Sequence, residues 1–211
     1  MIPTREEMHR ALEERHGKEL QSRFDAGRVA VCGLGGLGSN IALLLARAGV
    51  GRLHLIDFDR VDLSNLNRQQ YRISQIGMYK TEAMQEILRD IAPYCEVRID
   101  TVRLTEEAVR DLLRDDGILC EAFDDPAAKA MLVSAAMELF PEKPVVAASG
   151  MAGLGSPNTI LTKKRLRNLY LCGDEHSDVS EGIGLISARV AVCAAHQATT
   201  ILRLLAGEME V

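Results

Sequence analysis

The sequence has 211 residues, 47% of them hydrophobic and 26% charged, with a formal net charge of -5. That balance suits a globular chain with a sizeable core, and the acidic excess argues against a general nucleic-acid partner, which would call for a basic face or stripe. Residues 1–20 open with Arg5, Glu6 and Glu7 and lack an apolar stretch followed by small residues, so no secretory signal is read and a cytoplasmic location is expected.

Residues 1–27 read as an N-terminal helical segment and 28–211 as one domain. From Arg28 onward short β-rich runs alternate with longer helical stretches, which predicts an α/β fold: a doubly wound, Rossmann-like, mainly parallel sheet with helices on both faces. Strands are predicted at 29–32, 53–56, 97–102, 118–122 and 145–148, with helices over 40–48, 81–91, from Thr105, and over 126–139. Beyond the Gly-rich segment 149–156, Ile160-Leu161 and Leu169-Tyr170-Leu171 read as later strands, and the polar stretch 173–182 as a mobile loop. The apolar region 183–205 is interrupted by Arg189, His196, Gln197 and Arg203, so it reads as a buried helix rather than a membrane span. The cysteines Cys32, Cys95, Cys120, Cys172 and Cys193 form no C-x-x-C pair, so neither a disulfide framework nor a zinc site is expected.

The segment Gly33-Leu34-Gly35-Gly36-Leu37-Gly38 lies between the first strand and its helix. There Gly33 permits the tight turn, Gly35 admits a phosphate close to the backbone, and Gly38 lets the helix pack on the strand, whose anion-attracting end faces the ligand. Asp57 follows about twenty residues later at the end of the second strand, where a carboxylate accepts from ribose hydroxyls. These two features suit an NAD-dependent oxidoreductase as well as an ATP enzyme. The loop that follows, with Asn65, Asn67, Arg68 and Gln69, and then Lys80, favours ATP, because two cations balance the charge of a departing pyrophosphate. Taken singly, Arg68 and Lys80 are surface cations, and Asp59 and Asp62 are solvated loop residues. At the end of the fourth strand, Asp124 falls on the same rim of the sheet and is a candidate Mg²⁺ ligand, with Asp125 the better candidate to cap the next helix.

Together, Gly33-x-Gly35-Gly36-Leu37-Gly38-Ser39, Ala46-Arg47-Ala48-Gly49-Val50-Gly51, Ile56-Asp57-Phe58-Asp59, Ser64-Asn65-Leu66-Asn67-Arg68-Gln69 and Gly77-x-x-Lys80 resemble the ubiquitin-activating-enzyme superfamily, and within it the short ThiF-like adenylyltransferases of thiamine biosynthesis. The resemblance is strong from about Arg28 to Gly155 and weaker through Arg189 to Leu205. It implies ATP-dependent adenylation, with Mg²⁺, of the C-terminal Gly carboxylate of a small ubiquitin-like sulfur-carrier protein ending Gly-Gly. By the family's motif Asp57 would bind ribose, Asp59 and Arg68 would lie at the phosphates, Lys80 would neutralise them and Asp124 would hold Mg²⁺. A homodimer is implied, in which an N-terminal arginine, here Arg15, reaches the partner's ATP. Other superfamily members adenylate different substrates, such as a modified tRNA base. Some relatives form a carrier conjugate on a cysteine; Cys172 precedes the polar loop, but Asp174 and Glu175 beside it disfavour a thiolate, and an inert thiol is expected.

Overall fold

The computed structural model describes residues 2–210. Two helices lead in, α1 (Arg5–His16) and α2 (Lys18–Asp25). α1 is started by a capping box between Thr4 and Glu7 and buries none of its side chains, whereas α2 buries Gln21 and Phe24. The strands are β1 (Arg28–Cys32), β2 (Arg52–Ile56), β3 (Glu96–Asp100), β4 (Ile118–Glu121), β5 (Val145–Ala148), β6 (Leu161–Leu166) and β7 (Leu169–Gly173). They form one sheet in the order β3-β2-β1-β4-β5-β7-β6, parallel throughout except for the antiparallel β6–β7 hairpin. The expected mainly parallel, doubly wound architecture is therefore present.

Five helices cover the sheet: α3 (Gly36–Arg47), α4 (Lys80–Ile91), α5 (Glu106–Leu112), α6 (Pro126–Leu139) and α7 (Ser187–Leu205). Alternation along β1 sends Val29 and Val31 into a core with α3, α4 and α7, and Ala30 and Cys32 into a second core with α5 and α6. Burial on both faces explains why β1 reads as a continuous apolar run from Val29 to Cys32. Among the described residues no helix is long and apolar enough to cross a membrane.

Three elements differ from the sequence reading. The helix after the Gly-rich turn begins at Gly36 rather than near Asn40, because Gly36 to Gly38 form its first turn. The late strands are longer than read: β6 includes Thr162, Lys163, Lys164 and Arg165, whose polarity hides an edge strand open to solvent on one side. The stretch after β7 is built rather than loose. Asp174 Oδ1 accepts from the amides of His176 (2.9 Å) and Ser177 (2.8 Å), Glu175 pairs with Lys163 (2.7 Å) and Arg165, and Val179–Glu181 is a single 3₁₀ turn capped by Asp178.

The pairing register defines where a ligand can sit. Cys32 lies opposite both Ile56 and Glu121, and Ile56 opposite Asp100. The residues that follow, Gly33, Asp57, Thr101 and Ala122, consequently emerge together at the carboxyl edge of the sheet, the ligand side of such folds.

Candidate active site

Backbone geometry at the Gly-rich turn is demanding. Gly33 has φ +95°, and a Cβ there would lie 2.7 Å from Ala122 O; a Cβ on Gly38 would lie 1.8 Å from Gly33 O. No side chain is tolerated at either position without displacing β1 or α3. Gly35 stands at the N-cap of α3 with no side-chain cap, and Gly36 is the first helical residue, so the leading amides of α3 point at the carboxyl edge.

Asp57 fastens this turn. Its Oδ2 accepts the Leu34 amide at 2.6 Å and its Oδ1 accepts the Asp59 amide at 2.7 Å. The carboxyl is 7% exposed, and burial pushes its pKa up against the opposing pull of Lys80 and the two amides. Each oxygen keeps a second lone pair, so the group can also accept from a hydroxyl.

Lys80, at the first position of α4, is buried, and its Nζ lies 2.8 Å from Asp59 Oδ2, while its amide donates to Asp59 O at 2.9 Å. The pair ties the end of β2 to α4. Asn65 is committed locally: its Oδ1 accepts the Asp62 amide at 3.1 Å within a 3₁₀ turn over Leu63–Asn65. Arg68 lies against the Gly-rich turn, its Cγ 3.3 Å from where a Gly36 Cβ would be. Its Nη1 donates to Ser64 O (3.2 Å) and Asn67 Oδ1 (2.8 Å), while its Nε is buried with no hydrogen-bond partner among the described residues.

On the far side of β1, the turn after β4 presents Asp124, which is exposed, while Asp125 accepts the Ala128 amide at 2.8 Å and caps α6. The donor set fits one metal-binding carboxylate completed by phosphate oxygens and water, and no group of three or more His, Cys, Asp or Glu able to hold a metal is found among the described residues.

The carboxyl edge thus gathers the glycines, Asp57, Asp59, Arg68, Lys80 and Asp124. It does not gather Arg15, which is exposed in the last turn of α1. α1 packs beside Gly49, where Leu12 and Gln21 crowd the end of α3 opposite the Gly-rich turn. The twelve residues of α3 separate the two ends by ~18 Å at 1.5 Å per residue. Cys172 is fully buried, its thiol 3.4 Å from Thr162 Oγ1, and burial pushes its pKa up.

Several supporting residues escaped the sequence reading. Ser39, Asn40 and Gln70 lace the Arg68 loop to α3, with Asn40 Nδ2 donating to Arg68 O at 3.3 Å, Gln70 Nε2 donating to Asn40 Oδ1 at 2.6 Å and the Gln70 amide donating to Ser39 Oγ at 3.3 Å. Tyr71 OH donates to Leu34 O at 2.7 Å. Glu121 and Lys129 form a bidentate pair at 3.0 Å, and Lys129 also donates to Ala148 O at 3.2 Å, pinning the Asp124 turn to β5. Arg189 holds the Gly-rich segment after β5 from α7. The available signal for Arg189 was its place in an otherwise apolar helix.

Two curated relatives are the proteins named adenylyltransferase and sulfurtransferase UBA4 of Candida glabrata, 35% identical over 72% of this chain and 35% of that protein, and of Kluyveromyces lactis, 34% identical over 66% of this chain and 31% of that protein. The chain spans about a third of the length of these relatives. Among solved structures, the fold is similar to E. coli tRNA N6-threonylcarbamoyladenosine dehydratase in complex with ATP, at 22% identity and TM-score 0.87 over 99% of this chain and 98% of that chain. It is also similar to E. coli MccB with AMPCPP and MccA, at 17% identity and TM-score 0.72 over 91% and 59% of the two chains. Residues 8–211 match the ThiF family, and the chain belongs to that family.

Proposed function

We propose that this chain is an ATP-dependent adenylyltransferase that activates the C-terminal carboxylate of a small ubiquitin-like sulfur-carrier protein ending Gly-Gly. The observation that carries the reading is the convergence at one sheet edge of an open helix start, a buried carboxylate at Asp57 and two cations, Arg68 and Lys80, with the exposed Asp124 across β1. The names of the UBA4 relatives, adenylyltransferase and sulfurtransferase, support the reaction class.

Adenylation forms a bond between a carboxylate oxygen and the α-phosphorus and breaks the bond from that phosphorus to the bridging oxygen, which leaves with its electron pair as pyrophosphate. The amides at the start of α3 face the phosphates, and Asp57 accepts from ribose through its remaining lone pairs. Arg68 and Lys80 take up the charge that grows on the β- and γ-phosphates; preorganised charges of this kind are worth most where water is excluded. Asp124 would hold Mg²⁺, which when bound neutralises phosphate charge. Arg15 lies too far from this edge to serve its own chain's site, so a role for it requires a second copy.

Sulfur delivery to the thiazole of thiamine is the pathway expected from the resemblance; the names of the UBA4 relatives support the adenylation and carry no pathway. A second reading, adenylation of a tRNA base, is favoured by the likeness over nearly the whole length of both chains to the tRNA-modifying dehydratase. Exchange of labelled pyrophosphate into ATP separates the two. Exchange is expected with Mg²⁺ and a Gly-Gly-ended carrier; exchange that requires tRNA, or no acceptor at all, rejects the proposal.

A further inference from the structure

Asn67 sits in the Arg68 loop but turns away from the glycines. Its Nδ2 donates to Leu185 O at 3.1 Å, and its Oδ1 accepts from Arg68 Nη1 at 2.8 Å. Leu185 belongs to segment 183–186, which runs without regular structure into α7. The same segment is held on its other side by the Gly153 amide, which donates to Gly184 O at 3.0 Å. Ile183 and Gly153 both line a cavity of about 450 Å³ next to the carboxyl edge. Three hydrogen bonds therefore run from Arg68 through Asn67 to the strap that walls this cavity, and from the strap to the Gly-rich segment beyond β5.

We infer that Asn67 is a positioning residue that couples phosphate occupancy at Arg68 to closure of segment 183–186 over the adjoining cavity. The inference rests on the adenylyltransferase reading above. Arg68 has its Nη1 already committed to Ser64 O and Asn67 Oδ1, while its Nε edge is buried and unpartnered among the described residues. A phosphate accepting from Nη2, which makes no hydrogen bond among the described residues, leaves the Nη1 bonds in place. Fixing Arg68 in this way holds the carboxamide plane of Asn67 and keeps its NH₂ aimed at Leu185 O. Coupling of this sort is reciprocal, so an occupant that closes the strap also tightens nucleotide binding.

Hydrogen–deuterium exchange on the full chain tests it. Saturating Mg·ATP should slow exchange in peptides covering 152–156 and 182–187 by about fivefold or more, within the usual range of coupling. Adenosine, which lacks phosphate, should leave them unchanged. Asn67→Ala at saturating ATP should lose the slowing. Asn67→Asp, which keeps an acceptor for Arg68 but lacks the donor to Leu185, should lose it as well and serves alone if Asn67→Ala does not fold. ATP that binds without slowing these peptides in the wild type, slowing that survives either substitution, or equal slowing by adenosine overturns the inference and leaves the adenylyltransferase reading standing. A wild-type chain that binds no ATP in equilibrium dialysis removes both.

Discussion

Replacing Arg189 with methionine gives the sharpest stability test. The guanidinium donates to Ala152 O (3.2 Å), Gly155 O (2.8 Å), Ser156 O (2.7 Å) and Thr159 Oγ1 (3.1 Å), and pairs with Asp174 Oδ2 at 2.5 Å. Arg189→Met keeps the apolar stem and strips every one of these bonds, leaving Asp174 without its cation. Truncating one partner of a buried pair costs about 3–5 kcal/mol, and the low end applies because the amides of His176 and Ser177 and the Ser177 hydroxyl still solvate Asp174. At about 2–4 °C per kcal/mol for a domain of this size, Tm should fall by about 6–12 °C. The loss should also depend on pH with a definite sign. Burial raises the Asp174 pKa, but the amides and hydroxyl of its turn together with Arg189 overcome this and hold it at about 2, against 3.8 for a free carboxyl. A depressed folded-state pKa contributes stability that is complete above the unfolded value and is lost as pH falls through the folded one. The gap between wild type and Arg189→Met should therefore be widest at neutral pH and narrow from about pH 4 toward about pH 2. Urea unfolding of both proteins across that range checks it. A difference below about 1 kcal/mol at neutral pH, the worth of one ordinary hydrogen bond, or a gap that grows on acidification, refutes the argument.

Arg68→Ala and Lys80→Ala should each slow carrier-dependent pyrophosphate exchange about a hundredfold or more while leaving the unfolding midpoint of Arg68→Ala nearly unchanged; normal exchange in both would point away from ATP. Asp124→Asn should abolish most exchange at low Mg²⁺ without loss of stability, since Asp125 and not Asp124 caps α6; full exchange at limiting Mg²⁺ would leave Asp124 as a surface residue. Cys172→Ser should retain both pyrophosphate exchange and sulfur delivery to the carrier, because burial already holds the thiol protonated; loss of delivery alone would make Cys172 the site of a conjugate.

The residues readable from sequence were those whose type is dictated by local backbone or by alternation. Buried parallel strands must be apolar on both faces, and only glycine fits at Gly33 and Gly38, so β1, its turn and the Asp57 that closes it were all visible. What sequence concealed depends on partners far along the chain. The segment after β7 looks polar and loose by composition, yet Asp174 is ordered by Arg189 fifteen residues later and Glu175 by two cations of β6. The Glu121–Lys129 clamp reads locally as one acid and one base on successive elements, and only folding places Lys129 against Ala148 O and Glu121 against the Ala148 amide. Arg15 is a different case: its expected role is on a partner's nucleotide, and its helix lies at the end of α3 away from its own chain's site.

The solvent edge of the sheet bears on how the chain behaves when concentrated. β6 ends a seven-stranded sheet with one row of amides and carbonyls unpaired, and Leu161 and Leu166 stand exposed on it. Such a strip is a template for a second strand, the first step toward ordered aggregates. Between those leucines lie Lys163, Lys164 and Arg165, and an antiparallel approach of two identical edges would set cation against cation along the seam. Repulsion there rises as ionic strength falls, so self-pairing through β6 is resisted most in dilute buffer, and high salt is the condition under which this edge becomes adhesive.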